Sequence, residues 1–123
     1  MDRIKFLVID DKKIIGSLFE ITLSFIGHET KTTQNGDEGI NFIKNERFDM
    51  VFCDVFMPYR GGISVLEEIK DIHPELPVVM MSACILDAQR QKMSEIGANG
   101  FLDKPFEVND VRKAVQCAVG KEI

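Results

Sequence analysis

The sequence predicts an α/β fold: a doubly wound, five-stranded parallel sheet of (βα)5 form, in a single domain over residues 1–123. Three observations lead there. Short apolar runs alternate along the chain with segments whose apolar residues recur at helical spacing. Strands separated by helices are joined by crossovers, and crossovers make neighbouring strands parallel. Several runs, such as "VFC" at 51–53 and "VVMM" at 78–81, are apolar throughout, as strands covered on both faces must be.

Each element has its own signal. Residues 4–9 form an apolar, partly β-branched run with Lys5 inside it, which reads as a strand. Residues 14–26 read as a helix, with Ile14, Leu18, Ile21 and Phe25 on one stripe and Ile15, Phe19 and Ile26 beside it. Gly27 stands where a helix cap belongs. Residues 29–33 are a weaker, Thr-rich strand. Residues 36–45 are helical through Ile40 and Ile43, although Gly39 should weaken that helix by about 1 kcal/mol relative to Ala. Residues 50–53 are a strand, and 63–72 a helix with Ile63, Leu66, Ile69 and Ile72 inward. "HPELP" at 73–77 is a loop. Residues 78–81 are a strand. Residues 86–96 form a helix poor in apolar residues, anchored by Ala88, Met93 and Ile96. Residues 98–102 make a short strand, and 108–119 an amphipathic helix with Val111, Val115 and Ala118 on one face.

Composition narrows the function. A net charge of -5 argues against direct nucleic acid binding. No apolar run reaches the length of a membrane span, and the N-terminus does not read as a signal peptide. Cys53, Cys84 and Cys117 are odd in number and lack C-x-x-C spacing, which fits reduced thiols in a cytoplasmic protein. Cys53 reads as a small buried hydrophobe, and His28 and His73 as loop residues.

The chemistry gathers where the strands end. The first runs into Asp10 and Asp11, the third into Asp54, the fourth into Ser82, and the fifth into Asp103 and Lys104. Taken singly, these are a helix cap, a turn residue, a solvated hydroxyl and a surface lysine, and Phe101 is a core aromatic. Taken together they fall on one edge, because ligands of open α/β sheets bind beyond the carboxyl ends of the strands. Crowded carboxylates need a counter-charge, and oxygen-only ligands favour Mg²⁺, Mn²⁺ or Ca²⁺. A site of few protein ligands that keeps several waters suits Mg²⁺.

At "IDD", "CDVFMP", "MSA" and "DKPF", in this order, the chain resembles the CheY-like receiver domain of bacterial two-component response regulators. The resemblance implies a flavodoxin-like sheet of strand order 2-1-3-4-5. It implies that Asp54 accepts a phosphoryl group from the phosphohistidine of a sensor histidine kinase or histidine phosphotransfer protein. Asp10, Asp11, Asp54 and the backbone carbonyl of Phe56 would hold Mg²⁺, with Mn²⁺ as a substitute. Lys104 would pair with a phosphoryl oxygen, Ser82 would turn its hydroxyl toward it, and Phe101 would rotate inward. The Lys104–Pro105 bond would be cis. Ile14, Ile15 and Leu18 would dock the kinase, although a wide core-facing stripe explains them equally. The 86–96 helix, the last strand and the last helix would form the output surface, for a downstream protein, a further output domain or a homodimer.

Three positions depart from the family's pattern, the first being Lys12, which follows the acidic pair where an acidic residue is frequent and so shifts metal affinity modestly. Phe56 stands where a small or polar residue is frequent, and Cys84 where polar residues are common; neither orients a water well, so self-dephosphorylation should be slow. The chain would then be no enzyme beyond its own phosphorylation and slow dephosphorylation. The alternatives are a phosphorylation-independent interaction module and a small Mg²⁺-dependent aspartyl phosphohydrolase. The hydrolase is disfavoured because Phe56 occupies the place of its acid/base Asp. A flavodoxin-like cofactor binder is disfavoured by "DDKKI" in place of a phosphate loop.

Overall fold

The computed structural model describes residues 3–120 and 123; the expected domain's residues 1–2 and 121–122 lie outside the described residues. Ten elements alternate: β1 (Lys5–Ile9), α1 (Lys13–Phe25), β2 (Glu29–Thr33), α2 (Gly36–Asn45), β3 (Met50–Asp54), α3 (Gly62–Ile72), β4 (Val78–Ser82), α4 (Asp87–Ile96), β5 (Gly100–Asp103) and α5 (Val108–Val119). All strand pairs are parallel, and the order is β2-β1-β3-β4-β5. The expected sheet is therefore the observed one.

The pleat sorts the strands' side chains into two cores. Leu7, Ile9, Val51, Cys53, Val78 and Met80 point to the face covered by α2, α3 and α4. Phe6, Val8, Met50, Phe52, Val79 and Met81 point to the face covered by α1 and α5. The central strands β1, β3 and β4 are thus buried on both sides, as their unbroken apolar runs require. β2, with Glu29 and Lys31 among its threonines, takes an edge.

Several helix faces differ from the sequence reading. In α1 the buried residues are Gly16, Phe19 and Leu23; Ile14, Leu18, Ile21 and Phe25 face solvent. A helix with an apolar inner face and an apolar outer face gives a stripe by periodicity without saying which face is the core. In α3, Val65, Leu66 and Ile69 are buried, Ile63 is half-buried, and Ile72 is exposed in the last turn. In α4, Met93 is the buried anchor and Ile96 is half-buried, while Ala88 is exposed. Gly39 has a packing reason: a Cβ there would lie 2.5 Å from Cδ1 of Ile9, so glycine lets α2 sit close on β1.

Both histidines lie outside regular elements, but His28 is buried. Its Nδ1 accepts the Ile4 backbone N–H at 3.0 Å, and its ring meets Phe6 edge-on at 5.9 Å. Burial pulls its pKa below the ordinary histidine value.

Candidate functional site

Parallel β1, β3 and β4 all end on the same edge, and their last residues extend two strands beyond the sequence bounds. Asp54 is the final residue of β3 and Ser82 the final residue of β4; each belongs to the hydrogen-bonded ladder. Asp103 likewise closes β5. These side chains are therefore carried by the sheet itself rather than by mobile loop.

Asp10 and Asp54 are buried, and Asp11 is half-buried. A carboxylate oxygen from each of the three lies within 4.8 Å of the other two. Asp10 does not cap α1 in the ordinary way, since Lys12 holds the N-cap position. Instead Asp10 Oδ1 accepts the Lys12 backbone N–H at 2.9 Å, which fixes the turn entering the helix. Its Oδ2 takes a charge-assisted bond of 2.6 Å from Lys104 Nζ. The same ammonium lies 3.4 Å from Asp54 Oδ1.

Three carboxylates against one ammonium leave the site short of positive charge. Burial, reinforced by the charge of Asp10, raises the Asp54 carboxyl to about 6 despite the attraction of Lys104. For Lys104, burial works against the charged form, but the bond to Asp10 and the charges of Asp10 and Asp54 raise its pKa on balance. Burial and the same carboxylates push the Cys53 thiol upward, so it is an inert core residue. Asp11 Oδ1 is buried without a hydrogen-bond partner among the described residues. An orphaned carboxylate oxygen beside two more carboxylates is the donor set of a hard divalent cation, so these residues fit such an ion.

Backbone contacts hold the edge in place. The Lys104 N–H donates to the Ser82 carbonyl at 2.9 Å, and the Lys104–Pro105 bond is cis. The Val55 N–H donates to Met81, and the Val55 carbonyl accepts from Gly62, which fixes the chain leading to Phe56. A Cβ on Gly62 would fall 2.0 Å from the Asp54 carbonyl oxygen, so only glycine lets α3 start there.

A cleft of about 300 Å³ opens onto Asp54, with Lys12, Ile15, Phe56, Cys84 and Lys104 among its walls. Phe56 and Cys84 are both exposed there. Ser82 is buried, and its hydroxyl is engaged with its own loop: it accepts the Cys84 N–H and faces the Cys84 carbonyl, both at 3.2 Å. Phe101 is half-buried against the α3–α4 side of the core. The guanidinium of Arg90 lies 4.7 Å from its ring centre and 3.6 Å from Asp103. No local pattern marks Arg90, because its partners are on a different element. Of the expected docking residues, Ile15 reaches the Asp54 cleft, while Ile14 and Leu18 are exposed on the outer face of α1.

Comparison with known proteins agrees with this geometry. The family model described as the response regulator receiver domain matches residues 6–116. The transcriptional regulatory protein DltR of Streptococcus agalactiae is 27% identical over 107 residues, covering 87% of this chain and 48% of that protein. The response regulator protein PilR of Pseudomonas aeruginosa is 33% identical over 120 residues, covering 97% of this chain and 27% of that protein. The chain thus spans half or less of the length of these relatives. Among solved structures, the chemotaxis protein CheY4 of Vibrio cholerae superposes with a TM-score of 0.91 at 27% identity, covering 95% of this chain and 99% of that one. With its sheet order, its acidic strand ends and a family match over residues 6–116, this chain belongs to the receiver-domain family of two-component response regulators.

Proposed function

We propose that Asp54 is the phosphoryl acceptor, that its donor is a phosphohistidine on a sensor histidine kinase or histidine phosphotransfer protein, and that the reaction requires Mg²⁺, with Mn²⁺ able to substitute. One observation carries this reading: a buried carboxylate at a strand end, facing a cleft, with an ammonium 3.4 Å away and an orphaned carboxylate oxygen in the same cluster.

Asp10, Asp11, Asp54 and the Phe56 carbonyl would hold the cation, which when bound offsets charge on the carboxylates and on the phosphoryl oxygens. The chain's own residues do the rest. Asp54 is largely ionised above pH 6 and so nucleophilic at neutral pH. One of its carboxylate oxygens forms the new O–P bond as the N–P bond of the donor breaks, and the imidazole leaves with the electron pair. Lys104, already between Asp10 and Asp54, needs only a small swing to pair with a phosphoryl oxygen. Ser82 must give up its contacts with Cys84 to reach the same group, and this couples the modification to the β4–α4 loop.

That loop leads into α4, which is held by Met93 and otherwise presents polar residues. A shift there, with Phe101 moving inward from beneath Arg90, would reshape the α4–β5–α5 face as the output surface. A downstream protein, a further output domain or a phosphorylation-dependent homodimer would read it. The exposed polar side chains of α4 and α5, among them Gln91, Lys92, Arg112 and Lys113, support a conditional contact over a permanent one. Free thiols support a cytoplasmic setting, and among the described residues no helix is long and apolar enough to cross a membrane.

Intact-protein mass after incubation with acetyl phosphate and Mg²⁺ tests the reading. A gain of one phosphoryl group, absent in Asp54→Asn and blocked by EDTA, is expected. Phosphorylation persisting in Asp54→Asn would overturn it.

A further inference from the structure

The outer pole of α1 carries Ile14, Leu18, Ile21 and Phe25, which are 66%, 50%, 70% and 91% exposed. It lies opposite the buried Gly16, Phe19 and Leu23. A helix covering one side of a sheet should be polar at that pole, so an apolar outer face marks a surface that a partner covers. We infer that this face of α1 pairs, antiparallel, with the α1 of a second copy of the unmodified chain.

The spacing identifies the occupant. Ile14, Leu18, Ile21 and Phe25 are separated by four, three and four residues, the seam of a coiled coil. The pattern reads the same in both directions. A two-fold axis between Leu18 and Ile21 sets Ile14 opposite Phe25 of the second copy, and Leu18 opposite its Ile21. The flanks are Ser17 and Ser24 on one side, and Ile15 and Thr22 on the other. None is charged, so symmetry brings no like charges together. Lys13 and Glu20 project about 100° or more away from the seam.

The surface is adequate for a weak dimer. The four side chains offer on the order of 400–500 Å² per copy. A groove of about 310 Å³ beside the seam, walled by Leu18, Thr22, Phe106 and Val108 with Glu107 on its rim, extends it toward α5. Twice that per-copy area, roughly 800–1,000 Å² in all, places the pair at the low end of specific interfaces, among weak and reversible contacts. A phosphodonor docked at Ile14, Ile15 and Leu18 would leave Phe25 uncovered, since it lies roughly 10 Å beyond Leu18 along the helix. A second copy covers both ends at once and would compete with the donor. The inference stands whether or not Asp54 takes a phosphoryl group.

Sedimentation equilibrium of the full chain, without phosphodonor, is the test. Mass should rise from monomer to dimer with concentration, and Phe25→Glu and Ile21→Glu should each weaken association by about tenfold or more. Circular dichroism of both variants shows that the fold survives. A nitroxide at Ser24→Cys, in a Cys84→Ser, Cys117→Ser background, should broaden amides near residues 15–17 of a ¹⁵N-labelled copy. A monomer up to roughly 500 µM would overturn the inference. So would a dimer untouched by both variants, or broadening centred on residue 24.

Discussion

Asp54→Asn should make the metal-free protein more stable, although it removes the residue on which the proposed function depends. The Asp54 carboxyl is raised from an ordinary 3.8 to about 6 by burial and by the charge of Asp10. Two pKa units correspond to about 3 kcal/mol. The sign follows from proton counts. Between about pH 4 and 6 the folded chain holds a proton on Asp54 that the unfolded chain has already released, so folding loses free energy as pH rises through that window. Above pH 6 the penalty is complete and constant. The shift already contains the attraction of Lys104 at 3.4 Å, so it measures the net cost of the ionised group. Asn keeps the shape without the charge. Allowing for poorer hydrogen bonding of the amide, the gain should be about 2 kcal/mol near pH 7.5. Urea unfolding of both proteins in EDTA reads it directly. The gap should close toward pH 4, and Mg²⁺ should stabilise the parent chain more than the variant. A variant less stable than the parent at pH 7.5, or a gap that does not change with pH, would refute the reasoning.

Three further outcomes follow from the same structure. Gly62→Ala should cost about 3 kcal/mol or more and slow phosphoryl uptake, because its Cβ would meet the Asp54 carbonyl oxygen at 2.0 Å; unchanged urea unfolding would contradict this. His28→Ala should cost about 1–3 kcal/mol at pH 7.5 by leaving the Ile4 N–H without its acceptor. Because burial lowers the folded pKa of His28, the parent's stability is complete above the unfolded value and is lost as pH falls through it. The gap between the two proteins in urea should therefore narrow below about pH 6. Phe56→Asn should shorten the acyl-phosphate lifetime roughly several-fold by placing a water-orienting group in the Asp54 cleft. Time-resolved intact mass checks it, and a parent phosphoryl group that decays within seconds would contradict slow self-dephosphorylation.

Much of this architecture is legible in the sequence for a simple reason. Parallel strands buried on both faces must be apolar throughout, and that leaves polar residues only at their ends. Asp10, Asp11, Asp54, Ser82 and Lys104 could therefore be placed on one edge before any coordinates. The strand bounds fell one residue short at Asp54, Ser82 and Asp103, because an apolar run ends where polarity begins while the ladder continues. Helix faces were harder. α1 is apolar on two faces, so its period does not say that Phe19 and Leu23 face inward while Ile21 and Phe25 face out. Ala88 is small enough to sit on either side of α4, and the structure exposes it. Contacts between distant elements left no trace in local sequence. The stacking of Arg90 on Phe101, the burial of His28 and the orphaned oxygen of Asp11 all depend on the assembled sheet.

In the proposed reaction a carboxylate at the end of β3 takes a phosphoryl group with the help of Lys104 and a divalent cation. Intact mass with acetyl phosphate and Mg²⁺, run on the parent chain, Asp54→Asn and Lys104→Ala, tests it most directly. The parent should gain one phosphoryl group and Asp54→Asn none, while uptake by Lys104→Ala should be much slower. No gain by the parent in the presence of Mg²⁺, or the same gain in Asp54→Asn, would contradict it.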